Sequence, residues 1–167
     1  FAFAMETSGI CAAEARMDAE LQADRAALAD TVRRFAESEI APHVQAWDDA
    51  GEFPRALYAR AAELGLLATD VPEEYGGLDL DKTSSIVVGE AVGRCASFAT
   101  TFGAQTGLTI TPILCFGTGA QKQKYLPRLV SGEILGAYAL SESGSGSDAL
   151  GARARAVRMP DGSFSLS

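Results

Sequence analysis

The 167-residue sequence predicts a mainly α fold, a helical bundle followed by the first strands of a β-domain. Three observations carry that expectation. From Met17 to Gly132, apolar residues recur at helical spacing and are punctuated by Pro and Gly. Beyond Gly132, short apolar or alternating runs flank an Asp161-Gly162 turn, as a hairpin requires. The 47% hydrophobic content suffices for a sizeable core. The expected organisation is a disordered lead over 1–16, a helical domain over 17–132 and the start of a β-domain over 133–167.

Taken in order, Leu21, Leu28, Val32, Phe35 and Ile40 form one face of a long amphipathic helix that reaches Trp47. Pro42 should kink or divide it. Gly51–Phe53 makes a turn, Pro54 opens the next helix, Leu57, Ala61 and Leu64 continue its face, and Gly65 stops it. The stretch VPEEYGGLDLD reads as a loop. Asp81 or Thr83 caps a helical region to about Gln105, with small apolar residues (Val87, Val88, Ala91, Val92, Ala96, Ala99) suited to a bundle centre. Thr106–Phe116 is ambiguous, although Pro112 opposes a central strand. Thr118-Gly-Ala-Gln121 is a capping box before a helix through Leu129. Ile134–Leu140 reads as a strand.

Several function classes are excluded. A net charge of −8 without a basic block opposes nucleic-acid binding. No apolar run is long enough to span a membrane. The first residues lack a basic n-region and carry Glu6, which makes a poor secretory signal. Cys11, Cys95 and Cys115 have no zinc spacing and are expected to be buried reduced thiols, placing the protein in the cytoplasm. His43 and the Lys122/Lys124/Arg128 face read as solvated surface, as does Glu73-Glu74. No GxSxG elbow and no complete dinucleotide-binding glycine pattern occur. No metal site is expected.

The remaining candidate is the Gly/Ser stretch Ala137–Ala154. Successive backbone N–H groups in a glycine-containing loop converge into an anion-binding nest, and serine hydroxyls add donors. A diphosphate suits such a loop. An ordinary turn is the competing reading. Glu142 and Asp148 would repel phosphate, so they are expected to hold the loop.

The segment Ala139-Leu-Ser-Glu-Ser-Gly-Ser-Gly-Ser-Asp-Ala-Leu-Gly151 resembles a signature of the acyl-CoA dehydrogenase family. FGTGAQKQKYLPRLVSGEILGAYALSE resembles that family's connection from helical to β-domain, and Trp47-Asp48 through GEFPRALYARAAELGLLATDVPEEYGGLDLD resembles its early helices. The likeness runs from about Leu21 to the last residue. It implies an amino-terminal helical bundle, then the opening strands of a truncated middle β-barrel domain, with FAD as cofactor. The implied reaction is α,β-desaturation of an acyl-CoA thioester, with a hydride passing to flavin N5, as in fatty acid metabolism. Electron-transfer flavoprotein or a similar acceptor and a homo- or hetero-oligomeric state are implied partners.

By the same resemblance, Tyr138, Leu140 and Ser141 lie near the flavin ring, and Gly146 and Ser147 lie at the pyrophosphate, with Ser147 also near the CoA part of the substrate. The family often has Pro where Ser143 stands and Thr where Ser141 stands. Serine keeps the hydroxyl, whereas losing proline removes loop rigidity. No catalytic residue is expected here, because the family's glutamate base lies in a carboxy-terminal helical domain. The chain alone is therefore expected to be inactive. An acyl-CoA oxidase, a nitroalkane oxidase or flavin monooxygenase of the same fold, and a non-catalytic helical interaction fragment are the alternatives.

Overall fold

The computed structural model describes residues 2–167 except Phe53 and Ala96, with side chains described from Met17 onward except Asp18. Of the lead expected to be disordered over 1–16, residues 2–16 are helical and belong to the first helix, whereas Phe1, the Cys11 side chain, Phe53 and Ala96 lie outside the described residues. The chain divides into two compact units, Phe1–Ala137 and Tyr138–Ser167.

The first unit is helical. α1 (Ala2–Phe35) widens into a π-helical turn at Ala36–Ile40, where Ala41 N donates five residues back to Ala36 O at 2.8 Å. Pro42 brings no N–H to continue the ladder, so the helix ends there and α2 (Val44–Ala50) restarts. α3 (Ala56–Glu63) stops at Gly65, whose φ of 73° is a left-handed conformation that glycine adopts without a Cβ clash. The VPEEYGGLDLD segment is an ordered loop. Leu78 N and Leu80 N donate to Ala68 O and Thr69 O, and Tyr75 is buried.

α4 (Lys82–Val92) starts at an Asp81 cap, whose carboxylate accepts Ser84 N at 2.8 Å and Ser84 Oγ at 2.7 Å. The helical region expected to reach Gln105 without a break is instead interrupted. Cys95 N turns back to Val92 O at 2.8 Å, and α5 (Ser97–Gly103) begins afresh. The ambiguous Thr106–Phe116 stretch is helical. A π-helical segment, Ala104–Ile110, runs into α6 (Thr111–Phe116), and Pro112, the second residue of α6, falls where the helix passes from π to α geometry. α7 (Gly119–Val130) carries the full capping box. Gln121 N donates to Thr118 Oγ1 at 3.3 Å and Thr118 N to Gln121 Oε1 at 2.8 Å.

Two apolar clusters hold these helices. The larger joins Val32, Phe35 and Ile40 to Leu57, Tyr58 and Ala61 and to Val88, Val92, Phe98 and Phe102. Phe98 lies at its centre, edge-on to Phe35 at 5.8 Å and beside Tyr58 and Phe102 at 6.1 and 5.8 Å. The smaller packs Val71 and Tyr75 under Ile110, Leu126, Leu129 and Val130. An ion pair from Arg25 to the capping Asp81 adds a tie between α1 and α4.

Ile134–Leu140 is not a strand, contrary to the sequence expectation. Its first residues bond to a side chain where a strand would bond to a neighbouring strand. The fully buried Gln105 amide donates to Leu129 O at 2.8 Å and Ile134 O at 3.1 Å, and its Oε1 accepts Gly136 N at 2.7 Å. Gly136 has to be glycine, since a Cβ there would lie 2.1 Å from Thr109 Cγ2.

The second unit is a short loop and a hairpin. β1 (Ala156–Arg158) pairs antiparallel with β2 (Phe164–Leu166), register Ala156↔Leu166 to Arg158↔Phe164. Its turn has Gly162 at φ 84° and an Asp161 carboxylate accepting Ser163 N and Oγ at 2.9 and 2.6 Å. The strands, and the Asp-Gly turn between them, are those the sequence predicts.

Replacing Gln105 by Leu strips Ile134 O and Gly136 N of the side-chain partner they have, while Leu129 O keeps Gly132 N at 3.3 Å. We expect Gln105→Leu to cost about 2–4 kcal/mol in urea unfolding. Gly136→Ala should cost about 1–3 kcal/mol through the Thr109 clash.

Candidate functional site

The Gly/Ser loop is built around one carboxylate and one buried hydroxyl. Glu142 and Ser145 exchange both backbone hydrogen bonds, Glu142 N to Ser145 O at 2.9 Å and Ser145 N to Glu142 O at 3.1 Å. That exchange closes a tight turn over Ser143 and Gly144. It also sets Ser141 and Gly146 just outside a hydrogen-bonded pair, where residues of opposing strands face each other. Ser145 is 3% exposed, and its Oγ donates to Asp148 O at 2.6 Å.

The Glu142 carboxylate then reaches along the chain. Oε2 accepts Arg153 N at 2.8 Å and Oε1 accepts Ala154 N at 2.9 Å, so each oxygen takes one amide. These two bonds, Arg153 first, hold the carboxyl below its ordinary value of 4.5 against a smaller opposing effect of burial. The side chain is ionised at neutral pH, with one amide on each oxygen.

Of the five residues named from the sequence, Ser141 and Gly146 flank this turn and Ser147 follows. Tyr138 and Leu140 precede it and are 54% and 42% exposed. Nothing stands within 4 Å of where a Cβ would sit on Gly144 or Gly146. Among the described residues, no hydrogen bond takes up the N–H of Gly144, Gly146 or Ser147. A free rim of amide donors and serine hydroxyls is what an anionic group requires.

The means differ from the expected nest. Gly144, Gly146 and Gly151 all keep φ out of the left-handed region, so no glycine-dependent alternation of backbone hand builds the loop. Glu142 performs the holding role the sequence suggested. Asp148 does so through its main-chain carbonyl, and its carboxylate lies over Gly151, where an added Cβ would be 2.8 Å from Oδ2. Sequence reasoning missed Ser145, because one serine among four in a Gly/Ser run carries no mark of burial.

Other chemistry-bearing groups are structural. His43 is exposed and stacks on Trp47 at 5.5 Å. Burial pushes the Cys95 thiol up, away from a reactive thiolate. Cys115 is exposed, not buried as expected, because it sits on the outer face of α6 beside Phe116. Lys124 lies 5.1 Å over the Tyr125 ring and Arg128 pairs with Glu133. Glu73 and Glu74 are exposed in a single 3-10 turn. An open groove of about 600 Å³ along α1 and α4 is lined by Ala26, Ala29, Val87 and Ala91 with Glu90 and Cys95, and among the described residues no hydrogen bond joins the Cys95 thiol to a base there. Among the described residues, no group of three or more His, Cys, Asp or Glu could hold a metal, and no helix is long and apolar enough to cross a membrane.

The family model for the acyl-CoA dehydrogenase N-terminal domain matches residues 22–133. The chain belongs to the acyl-CoA dehydrogenase family. A probable acyl-CoA dehydrogenase of Bacillus subtilis is 49% identical over 131 residues, 78% of this chain and 22% of that protein. An acyl-CoA dehydrogenase from Bacillus anthracis, solved in complex with FAD, superposes with a TM-score of 0.78 at 43% identity, covering 86% of this chain and 25% of that one. Butyryl-CoA dehydrogenase from Megasphaera elsdenii gives 0.77 at 34% identity, covering 85% and 38%. The mainly α architecture is the one the resemblance implied. The chain thus spans well under half the length of these acyl-CoA dehydrogenase relatives, and the family match itself ends before the Gly/Ser loop.

The depressed Glu142 carboxyl fixes the sign of a pH response. Its bonds to Arg153 and Ala154 are present above the ordinary value of 4.5 and are lost as pH falls through the lower folded value. In an NMR titration, the Arg153 and Ala154 amide proton shifts should hold constant from pH 7 to 5. They should then move together below 4.5.

Proposed function

We propose that this chain supplies the amino-terminal part of an FAD-dependent acyl-CoA dehydrogenase, and that the Ser141–Ser147 loop is its share of the flavin site. The observation that carries this reading is the free N–H rim of Gly144, Gly146 and Ser147 on a turn locked by Glu142. Family membership and an FAD-bound relative support it.

FAD, when bound, accepts a hydride from the acyl-CoA thioester. The chain's own residues bind and orient. Gly146 and Ser147 would meet the diphosphate with backbone N–H and hydroxyl donors, and Ser147 would also face the CoA portion. Tyr138, Leu140 and Ser141 would border the flavin ring, with the Ser141 hydroxyl donating to its polar edge. Glu142 is a poor proton acceptor, since the two backbone amides it holds favour its charged form. The base belongs to sequence outside this chain. An electron-transferring flavoprotein as acceptor and an oligomeric assembly belong to the same reading.

Two preparations test it. The purified 167-residue chain should hold no stoichiometric flavin and give no acyl-CoA-dependent dye reduction. The full-length protein should hold FAD and pass electrons to a dye or flavoprotein acceptor in preference to oxygen. Turnover by the isolated chain overturns the assignment of the base, and preferential use of oxygen by the full-length protein makes it an oxidase of the same fold.

A further inference from the structure

We infer that Glu142 is a positioning residue for the flavin loop, acting through the backbone it ties rather than by touching the cofactor. The inference rests on the reading of the loop as part of a flavin site and deepens it.

The residues proposed to meet FAD lie on two arms of the turn. Tyr138, Leu140 and Ser141 lead in, and Gly146 and Ser147 lead out. Backbone bonds between Glu142 and Ser145 close the turn but do not anchor it to anything else. The Glu142 side chain supplies the anchor. It bridges eleven and twelve residues along the chain to Arg153 N and Ala154 N, immediately before Arg155, where the ladder to Ser167 begins. Arg155 N donates to Ser167 O at 2.8 Å and Ser167 N to Arg155 O at 3.1 Å, so the carboxylate fastens the turn to the paired base of the hairpin.

The second support comes from Ser145 Oγ, which fixes Asp148 O and hence the start of the Ala149–Gly151 turn. With both in place, the free amides of Gly146 and Ser147 are held at both ends of their segment. Such a rim binds an anion without first having to be ordered, and preorganisation of this kind is a source of affinity.

The chemistry demands a carboxylate. The two amides arrive one on each oxygen. A glutamine of the same shape keeps one acceptor and turns an NH₂ group toward the other N–H, so a donor faces a donor. Glutamine is therefore no substitute at this position, although it preserves size and polarity.

The test uses the full-length protein with Glu142→Ala and Glu142→Gln. FAD dissociation constants, visible circular dichroism of the bound flavin and apoprotein melting temperature are measured for each. The expected result is about a tenfold weaker FAD affinity in both variants, a loss of two charge-assisted hydrogen bonds from an exposed loop. Altered flavin dichroism and an unchanged apoprotein melting temperature should accompany it. Affinity within twofold of the parent in either variant overturns the inference while leaving the flavin reading intact. Weakening matched by a fall in apoprotein melting temperature also overturns it, because Glu142 then serves general folding. A parent protein that binds no FAD removes the underlying reading itself, and the inference with it.

Discussion

The buried amide of Gln105 is the constraint on which the end of the helical unit depends. One side chain receives the last-turn carbonyl of α7 at Leu129, the carbonyl of Ile134 and the N–H of Gly136. A buried backbone group without a partner costs about as much as a lost hydrogen bond, so an irregular segment can leave a helix under cover only if something satisfies it. Here a glutamine does what a neighbouring strand would do. The smaller apolar cluster, with Leu126, Leu129 and Val130 seated on Val71 and Tyr75, surrounds the same helix end.

Side-chain acceptors used on the backbone recur through the chain. Asp81 caps α4, Asp161 closes the hairpin turn, and Glu142 ties the Gly/Ser loop to the residues before β1. In each case hydrogen bonds to the charged form hold the carboxyl below its ordinary range, with Ser84 the largest cause at Asp81 and Ser163 at Asp161. The acids near the candidate site therefore organise it, and the N–H groups of Gly144, Gly146 and Ser147 stay free of hydrogen bonds among the described residues.

The structure of the candidate loop was legible in part. Alternating Gly and Ser marked the place, and the charge of Glu142 and Asp148 suggested a holding role. The mechanism of holding was not legible. Glycine suggested a left-handed nest, yet the loop stays out of that region and is shaped by a carboxylate bridging to amides eleven and twelve residues on. Ser145 differs from Ser143 and Ser147 only in what surrounds it, and no local pattern encodes surroundings.

By itself, the sequence determined where four of the helices start or stop. Pro42 ended one, Gly65 another, and Asp81 and Thr118 capped two more, since capping and proline chemistry act within four residues. It also determined the Asp161-Gly162 hairpin and, through the order of its segments, the family. Tertiary structure decided the rest. The apolar run after Gly132 has the composition of a strand, but Gln105, 29 to 31 residues earlier, claims its first polar groups. The break between α4 and α5 likewise follows from burying Cys95 and Phe98 in one core. Contacts made over such separations depend on which elements meet, and only the folded chain brings them together.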